Sequence, residues 1–410
     1  MKILHVNFSD NLGGASISVL RLHKFLLSKG VDSHLLVSEK ELNEKNVVGI
    51  NKTSEKIKNI IKSTVSRNLK IIFKTSNKNT HSLNLISSKL LKIINDFNAD
   101  IVNLHWLGNE TLSIKQIGKI KSEVVWTLHD MWPFCGAEHY TLDKRYEEGY
   151  RKNNKPNYET GFDLNKYIWE KKISSFKKVN KIIATSTWMK NCVKKSYLFK
   201  NKNIEEIPLI LDQKIWCPIH EKDAARKILR LSLDKKIITF GSDNYLNNNR
   251  KGFNHFLDLT KNYIDNENIE FVIFGENNFN KLNTYLNKLS LRVNLKNLGK
   301  INDETTMKLL YTATDVIVSP SIIEAFGLIV FEALNMGTPC VIFENTGSES
   351  MVDHKQNGYI AKFKSSQDLS NGVSWCLDNL ADKKIVHEYS LKKINSDESM
   401  VKYINFLKSK

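Results

Sequence analysis

The stretch from Ser319 to Gly337 reads SPSIIEAFGLIVFEALNMG. It places one carboxylate, Glu324, in a turn just past a hydrophobic strand. A second, Glu332, follows eight positions later inside the next helix. Between them Phe326, Gly327 and Leu328 open that helix. A helix N-terminus offers unpaired backbone N–H groups and the positive end of a dipole, which suits a phosphate. A glycine lets a ligand approach the backbone closely. A carboxylate accepts hydrogen bonds from sugar or ribose hydroxyls. An anion cradle flanked by two hydroxyl acceptors fits a sugar nucleotide.

Outward from this stretch, short apolar strands alternate with amphipathic helical patterns, which predicts an α/β fold with parallel sheets. In the first half, strands are expected at Lys2–Asn7, His34–Ser38, Ile101–His105, Val124–Leu128 and Lys181–Thr185. A helix from about Ser16 to Ser28 ends at Gly30, a suitable C-terminal cap. In the second half, strands are expected at Lys236–Gly241, Glu270–Gly275, Asn294–Leu298, Val316–Ser319, Pro339–Phe343 and Tyr359–Lys362. The proline-bounded run IPLILDQKIWCP, Ile207–Pro218, divides the halves. The expected organisation is a domain over 1–206, a linker over 207–222, a second domain over 223–390 and a terminal helical segment over 391–410.

At 410 residues the chain is long enough for two domains, and 41% hydrophobic residues can fill their cores. The five cysteines are scattered without CxxC spacing, so neither a zinc site nor a disulfide framework is expected. That usage points to a reducing, cytoplasmic location. MKILHVNF at the N-terminus lacks a signal-peptide layout, and no run of about 18 uncharged apolar residues is present. The net charge of +17 is uneven. Residues 1–205 carry 35 Lys and Arg against 19 Asp and Glu, whereas 206–410 carry 26 against 25. Such asymmetry suggests an anionic partner for the first half. No finger, RNP or helix-turn-helix pattern supports nucleic acid. Residues 55–74 space Ile57, Ile60, Ile61, Val65, Leu69, Ile72 and Phe73 on one helical face among lysines. This pattern fits either an anionic membrane surface or a core-packed helix with a solvated basic face.

In doubly wound sheets, ligands bind beyond the C-terminal strand ends. Those positions hold Gly13 and Gly14, His105, His129 and Asp130, Ser186, Ser242, Gly275 and Glu276, Gly299 and Lys300, and Glu324. His129 lies in Trp126–Phe134, WTLHDMWPF, where the imidazole suits a sugar hydroxyl and Trp132 suits a sugar face. Arg250 and Lys251 precede Gly252 at a helix start, and two cations can neutralise a diphosphate leaving group. No Asp/His metal cluster or DxD pair is found in a suitable loop.

These residues together resemble the retaining glycosyltransferases of family 4, which have the GT-B fold. The match includes Ser-Pro-Ser before Glu324, Phe-Gly after it, Glu-Ala at Glu332 and Gly-Thr-Pro closing the helix. His129-Asp130 resembles the His-Asp segment of bacterial surface-polysaccharide transferases of the capsule, O-antigen and colanic-acid type. Lys251-Gly252 resembles the family's Lys-Gly motif, although Gly241-Ser242 stands where the family usually has Gly-Arg. Only Cys135 remains of a cysteine cluster that many relatives carry near this point.

The resemblance implies two Rossmann-like domains facing across a cleft, with the C-terminal helix crossing back to the first. It implies a metal-independent, retaining transfer from an NDP-sugar, UDP- or GDP-linked, with no further cofactor. The acceptor would be a glycan, lipid-pyrophosphate-linked, met by the first domain at the inner membrane face. His129 and Glu324 would orient the sugar. Gly13, Gly14, Arg250, Lys251, Gly299, Lys300, Phe326, Gly327, Leu328 and Glu332 would hold the nucleotide and its phosphates. A GT-B-like UDP-sugar 2-epimerase and a non-catalytic GT-B binding partner are the alternatives.

Overall fold

The computed structural model of the protein describes residues 1–50, 64, 73–264, 266–288 and 295–409. The basic stretch 55–74 lies outside the described residues except at 64, 73 and 74. The chain forms two compact units. One comprises Met1–Leu211 with Ser396–Lys410, the other Asp212–Asn395.

The strands among the described residues are β1 (Lys2–Ser9), β2 (Asp32–Glu39), β3 (Val47–Gly49), β4 (Phe73–Thr75), β5 (Ile101–Leu104), β6 (Glu123–Leu128), β7 (Glu159–Gly161), β8 (Lys181–Ala184) and β9 (Asn203–Glu206) in the first unit. The second unit holds β10 (Lys236–Gly241), β11 (Ile269–Phe274), β12 (Leu295–Asn297), β13 (Val316–Ser319), β14 (Cys340–Phe343) and β15 (Gly358–Ala361). The first sheet runs β3-β2-β1-β5-β6-β8-β9 and the second β12-β11-β10-β13-β14-β15. All pairings in both sheets are parallel. A small antiparallel pair, β4 with β7, stands apart from them.

Parallel strands are covered on both faces and therefore read as apolar runs rather than alternations. Ile3, Leu4 and Val6 of β1 are all buried, as are Val316, Ile317 and Val318 of β13. The edge strands β3 and β9 have weak or mixed patterns, VVG and NIEE, and periodicity did not predict them. The strand order reverses between β1 and β5 in the first sheet and between β10 and β13 in the second. Helices diverge at such a switch point and leave a crevice at the strand ends.

Two expected boundaries shift. Ile207 and Ile210, placed in the linker by sequence, are buried in the core of the first unit, and the division falls after Leu211. The returning segment starts at Ser396 rather than 391, because Lys383–Lys393 is a separate helix of the second unit. The terminal helix Ser396–Lys408 lays Met400, Tyr403, Phe406 and Leu407 against Ile3, Leu26, Ile101 and Val125.

Inside that interface the Asn103 amide donates to the Tyr403 hydroxyl at 2.8 Å, and both groups are buried. Removing one partner of a buried hydrogen bond costs about 1–3 kcal/mol. Tyr403→Phe should therefore lower the unfolding free energy of the first unit by that amount, read as a lower urea midpoint at unchanged slope. An unchanged midpoint would show that the Asn103 amide is satisfied elsewhere.

Candidate functional site

In the second unit the switch point lies between β10 and β13, and the loops leaving these two strands are tied together. The Ile322 N–H donates to the Arg250 carbonyl at 2.7 Å. The Arg250 guanidinium donates to the Ile323 carbonyl, also at 2.7 Å. Gly252 makes this approach possible, since it has φ +72° and a Cβ there would lie 1.8 Å from the Pro320 carbonyl oxygen. The glycine of the Lys-Gly pair is thus required by the crossing of two loops.

Glu324 is 8% exposed and sits under the two cations. Lys251 Nζ donates to Glu324 Oε2 at 2.6 Å, Arg250 lies at 3.5 Å and the Ser321 hydroxyl at 3.3 Å. Burial alone would raise this carboxyl, but Lys251 and Arg250 outweigh it and hold it at about 2. Burial pushes the Lys251 ammonium below the ordinary lysine range; Glu324 pulls it up and Arg250 pushes it further down. The two shifts differ because the paired cations outweigh burial at Glu324, whereas burial and the like charge of Arg250 outweigh Glu324 and Asp243 at Lys251. The Gly347 N–H donates to the Glu324 carbonyl at 2.8 Å, which fixes the turn from its other side.

Helix Leu328–Asn335 follows, with Gly327 as its N-cap at φ +96°. A Cβ on Gly327 would lie 2.1 Å from the Ser348 hydroxyl oxygen, so this glycine too is dictated by packing. The Ser348 hydroxyl donates to the Phe326 carbonyl at 3.2 Å. Glu332 points inward from this helix and accepts the Tyr311 hydroxyl at 2.7 Å. Tyr311 and Ser348 were not singled out in the sequence, since both act across long chain separations. Lys300 pairs with Asp243 at 3.2 Å near the end of β10, and the preceding Gly299 has φ +71°. The structure thus gathers Arg250, Lys251 and Glu324 directly, with residues 326–328 at the start of the next helix and Glu332 within it. Ser242 stands where the family usually has Arg, and its buried hydroxyl has no hydrogen-bond partner among the described residues.

In the first unit Gly13 and Gly14 begin helix Gly13–Ser28, and Gly13 has φ +81°. A Cβ on Gly13 would meet no atom within 4 Å, so its glycine character is conformational rather than steric. His129 is half-buried just past β6. Its Nε2 lies 3.0 Å from His105 Nδ1, and His105 Nε2 lies 2.9 Å from His5 Nδ1. Burial lowers His129 to about 4.

Trp132 corrects one expectation. It is buried, its indole N–H donates to the Ser82 carbonyl, and Lys172 covers its ring, so it forms core rather than a sugar platform. Nearby, Asp130 contacts His139 Nδ1 at 2.5 Å, and His139 Nε2 lies 2.8 Å from the Ser82 hydroxyl. Such a series of atoms can activate a nucleophile. Here all three residues are buried and the Ser82 hydroxyl also accepts the Asn109 N–H, so the series cross-ties two loops. Among the described residues no group of three His, Cys, Asp or Glu side chains is arranged to hold a metal ion, and all five cysteines are free.

The depressed Glu324 carboxyl makes a pH prediction. A carboxyl whose folded value lies below its unfolded one stabilises the fold above the unfolded value and loses that contribution as pH falls through the folded one. From about 4.5 unfolded to about 2 folded, the contribution is up to about 3 kcal/mol. Glu324→Gln should be less stable than the parent at pH 6, with the gap closing between about pH 4.5 and 2. Urea denaturation across that range measures it, and a pH-independent gap would contradict the assignment.

Comparison with known proteins bears on the family and the fold. The family model for Glycosyltransferase Family 4 matches residues 12–213, and that for Glycosyl transferases group 1 matches residues 221–393. An uncharacterized glycosyltransferase of Methanocaldococcus jannaschii is 28% identical over 184 residues, 42% of this chain and 45% of that protein. The Escherichia coli UDP-Gal:alpha-D-GlcNAc-diphosphoundecaprenol alpha-1,3-galactosyltransferase is 27% identical over 216 residues, 49% of this chain and 54% of that protein. The chain thus spans about half the length of the curated relatives it matches. Among solved structures, Anabaena HepE in complex with UDP and glucose superposes with a TM-score of 0.69 at 14% identity, covering 100% of both chains. WaaG, a glycosyltransferase involved in lipopolysaccharide biosynthesis, superposes with a TM-score of 0.65 at 13% identity, again over 100% of both. With two parallel α/β units, the shared GT-B fold and matching family models over nearly its whole length, the chain belongs to the family 4 glycosyltransferases.

Proposed function

We propose that this chain is a retaining glycosyltransferase that moves a sugar from a nucleoside-diphosphate donor to a glycan acceptor, lipid-pyrophosphate-linked, in surface-polysaccharide assembly. The observation that carries the reading is the Glu324–Lys251–Arg250 cluster set beside the N-terminus of helix Leu328–Asn335. Support for the donor comes from the solved Anabaena relative, which binds UDP and glucose. Support for the acceptor comes from the E. coli relative, whose name gives a diphosphoundecaprenol-linked sugar.

In this reading Glu332 and the helix start hold ribose and diphosphate, while Lys251 and Arg250 face the phosphates. Glu324 and His129 orient the sugar. By the family resemblance, Gly13 and Gly14 are assigned to the diphosphate, and Gly299 and Lys300 to the nucleotide. The bond from the anomeric carbon to the leaving phosphate oxygen breaks as the acceptor oxygen bonds the same face. The acceptor proton passes to the leaving diphosphate. Positive charge already fixed in a buried site stabilises that leaving group without reorganisation at the moment of reaction. With two side-chain cations and a helix dipole in place, the transfer needs no divalent metal.

Two experiments test the reading. Calorimetric titration with UDP, GDP and ADP in the presence of chelator should show binding of one of them. Glu332→Ala should weaken it by roughly 1–3 kcal/mol through the lost hydroxyl contacts. No binding by any of the three, or equal affinity in the variant, would sink the assignment. The charge excess of residues 1–205 and the basic pattern over 55–74 extend the proposal to peripheral docking on an anionic membrane. Changing Lys58, Lys62 and Lys70 to Glu should release the protein from anionic vesicles at unchanged nucleotide affinity. Equal co-sedimentation with neutral and anionic vesicles would remove the membrane from the account.

A further inference from the structure

Three imidazoles form an unbroken series across the switch point of the first sheet. His5 lies in β1, His105 directly follows β5, and His129 directly follows β6. Two contacts join them, His5 Nδ1 to His105 Nε2 at 2.9 Å and His105 Nδ1 to His129 Nε2 at 3.0 Å. His5 and His105 are 0% and 2% exposed. The outer atom of the series, His5 Nε2, is buried without a hydrogen-bond partner. Burial lowers all three, His5 to about 3 with the charges of His23 and His34 adding to it, so the series is neutral near pH 7.

A neutral imidazole has one N–H and one bare nitrogen. Each of the two contacts needs one proton, and the third proton must sit at one end. The three rings therefore share a tautomer, either all Nε2–H or all Nδ1–H. In the first case His5 Nε2 carries a buried N–H with no acceptor. In the second that atom is a bare acceptor. Orphaned buried N–H groups are rarer than under-satisfied acceptors in folded proteins, which favours the second.

We propose that His5 and His105 are positioning residues that hold His129 in the Nδ1–H tautomer, so that its Nδ1 presents a hydrogen-bond donor to the bound sugar. The proposal rests on the reading that His129 faces the donor sugar. A fixed donor selects a sugar with an acceptor oxygen at the contacted position and discriminates against a protonated amino group there. It also leaves the proton of a contacted hydroxyl directed to another acceptor. His5 acts at one remove, since it touches His129 only through His105.

The test is nitrogen-15 NMR of the histidine-labelled full chain, which separates the two tautomers by the shifts of the ring nitrogens. Wild-type protein should show His5, His105 and His129 all as Nδ1–H at pH 7. His105→Phe should move His129 to a population with Nε2–H in excess, while nucleoside-diphosphate affinity stays within twofold of the parent. A wild-type His129 in the Nε2–H form, a protonated His129, or a tautomer unchanged in His105→Phe overturns the proposal. If His105→Phe does not fold, the wild-type spectrum alone decides between the two tautomers. Failure of the wild-type protein to bind any nucleoside diphosphate would instead overturn the functional reading, and it leaves the tautomer measurement standing as an independent result.

Discussion

A parallel sheet must be covered on both faces, and this constraint shapes both units. Each return to a parallel neighbour needs a crossover, so helices fall on the two faces and the strand ends are left for function. Where the strand order reverses, the helices part and polar loops can meet. The second unit uses its reversal for the crossing of the Arg250 and Ile322 loops, and the first uses its own for the three histidines. The apolar strand interiors supply stability, and polar residues gather at the C-terminal strand ends.

The Glu324 cluster shows how charge is held in such a place. A buried carboxylate is costly unless it is paired and hydrogen-bonded. Glu324 meets both conditions through Lys251, Arg250 and Ser321, while Gly347 fixes its backbone. Two cations face this one carboxylate, so the cluster keeps an excess of positive charge just ahead, in sequence, of the helix that starts at Leu328. Fixed positive charge of this kind can stabilise developing negative charge without reorganisation.

Much of the architecture was legible in the chain. The buried strands announced themselves as apolar runs, and Ser-Pro-Ser, Phe-Gly and the two Glu residues marked the switch-point loop of the second sheet. Edge strands β3 and β9 were illegible because three or four residues with a half-exposed pattern carry little periodic signal. Trp132 looked like a ligand platform because its neighbours in sequence are polar, yet its covering group, Lys172, is 40 residues away. His105 was visible at a strand end, but its union with His5, 100 residues earlier, was not. Local pattern reports which face is buried; it does not report which polar groups meet across a fold.

The helix Ser396–Lys408 belongs to the first core although it follows the whole second unit in the chain. During synthesis the first unit therefore waits, with Ile3, Leu26 and Ile101 lacking their cover, while Asp212–Asn395 are added. At about 5–20 residues per second that interval is on the order of 10–40 s. Over this time the nascent chain carries an open apolar face that a chaperone can occupy or another chain can capture. The fold thus leaves this face open until the ribosome has passed Ser396–Lys408, and makes that helix the latch that closes it.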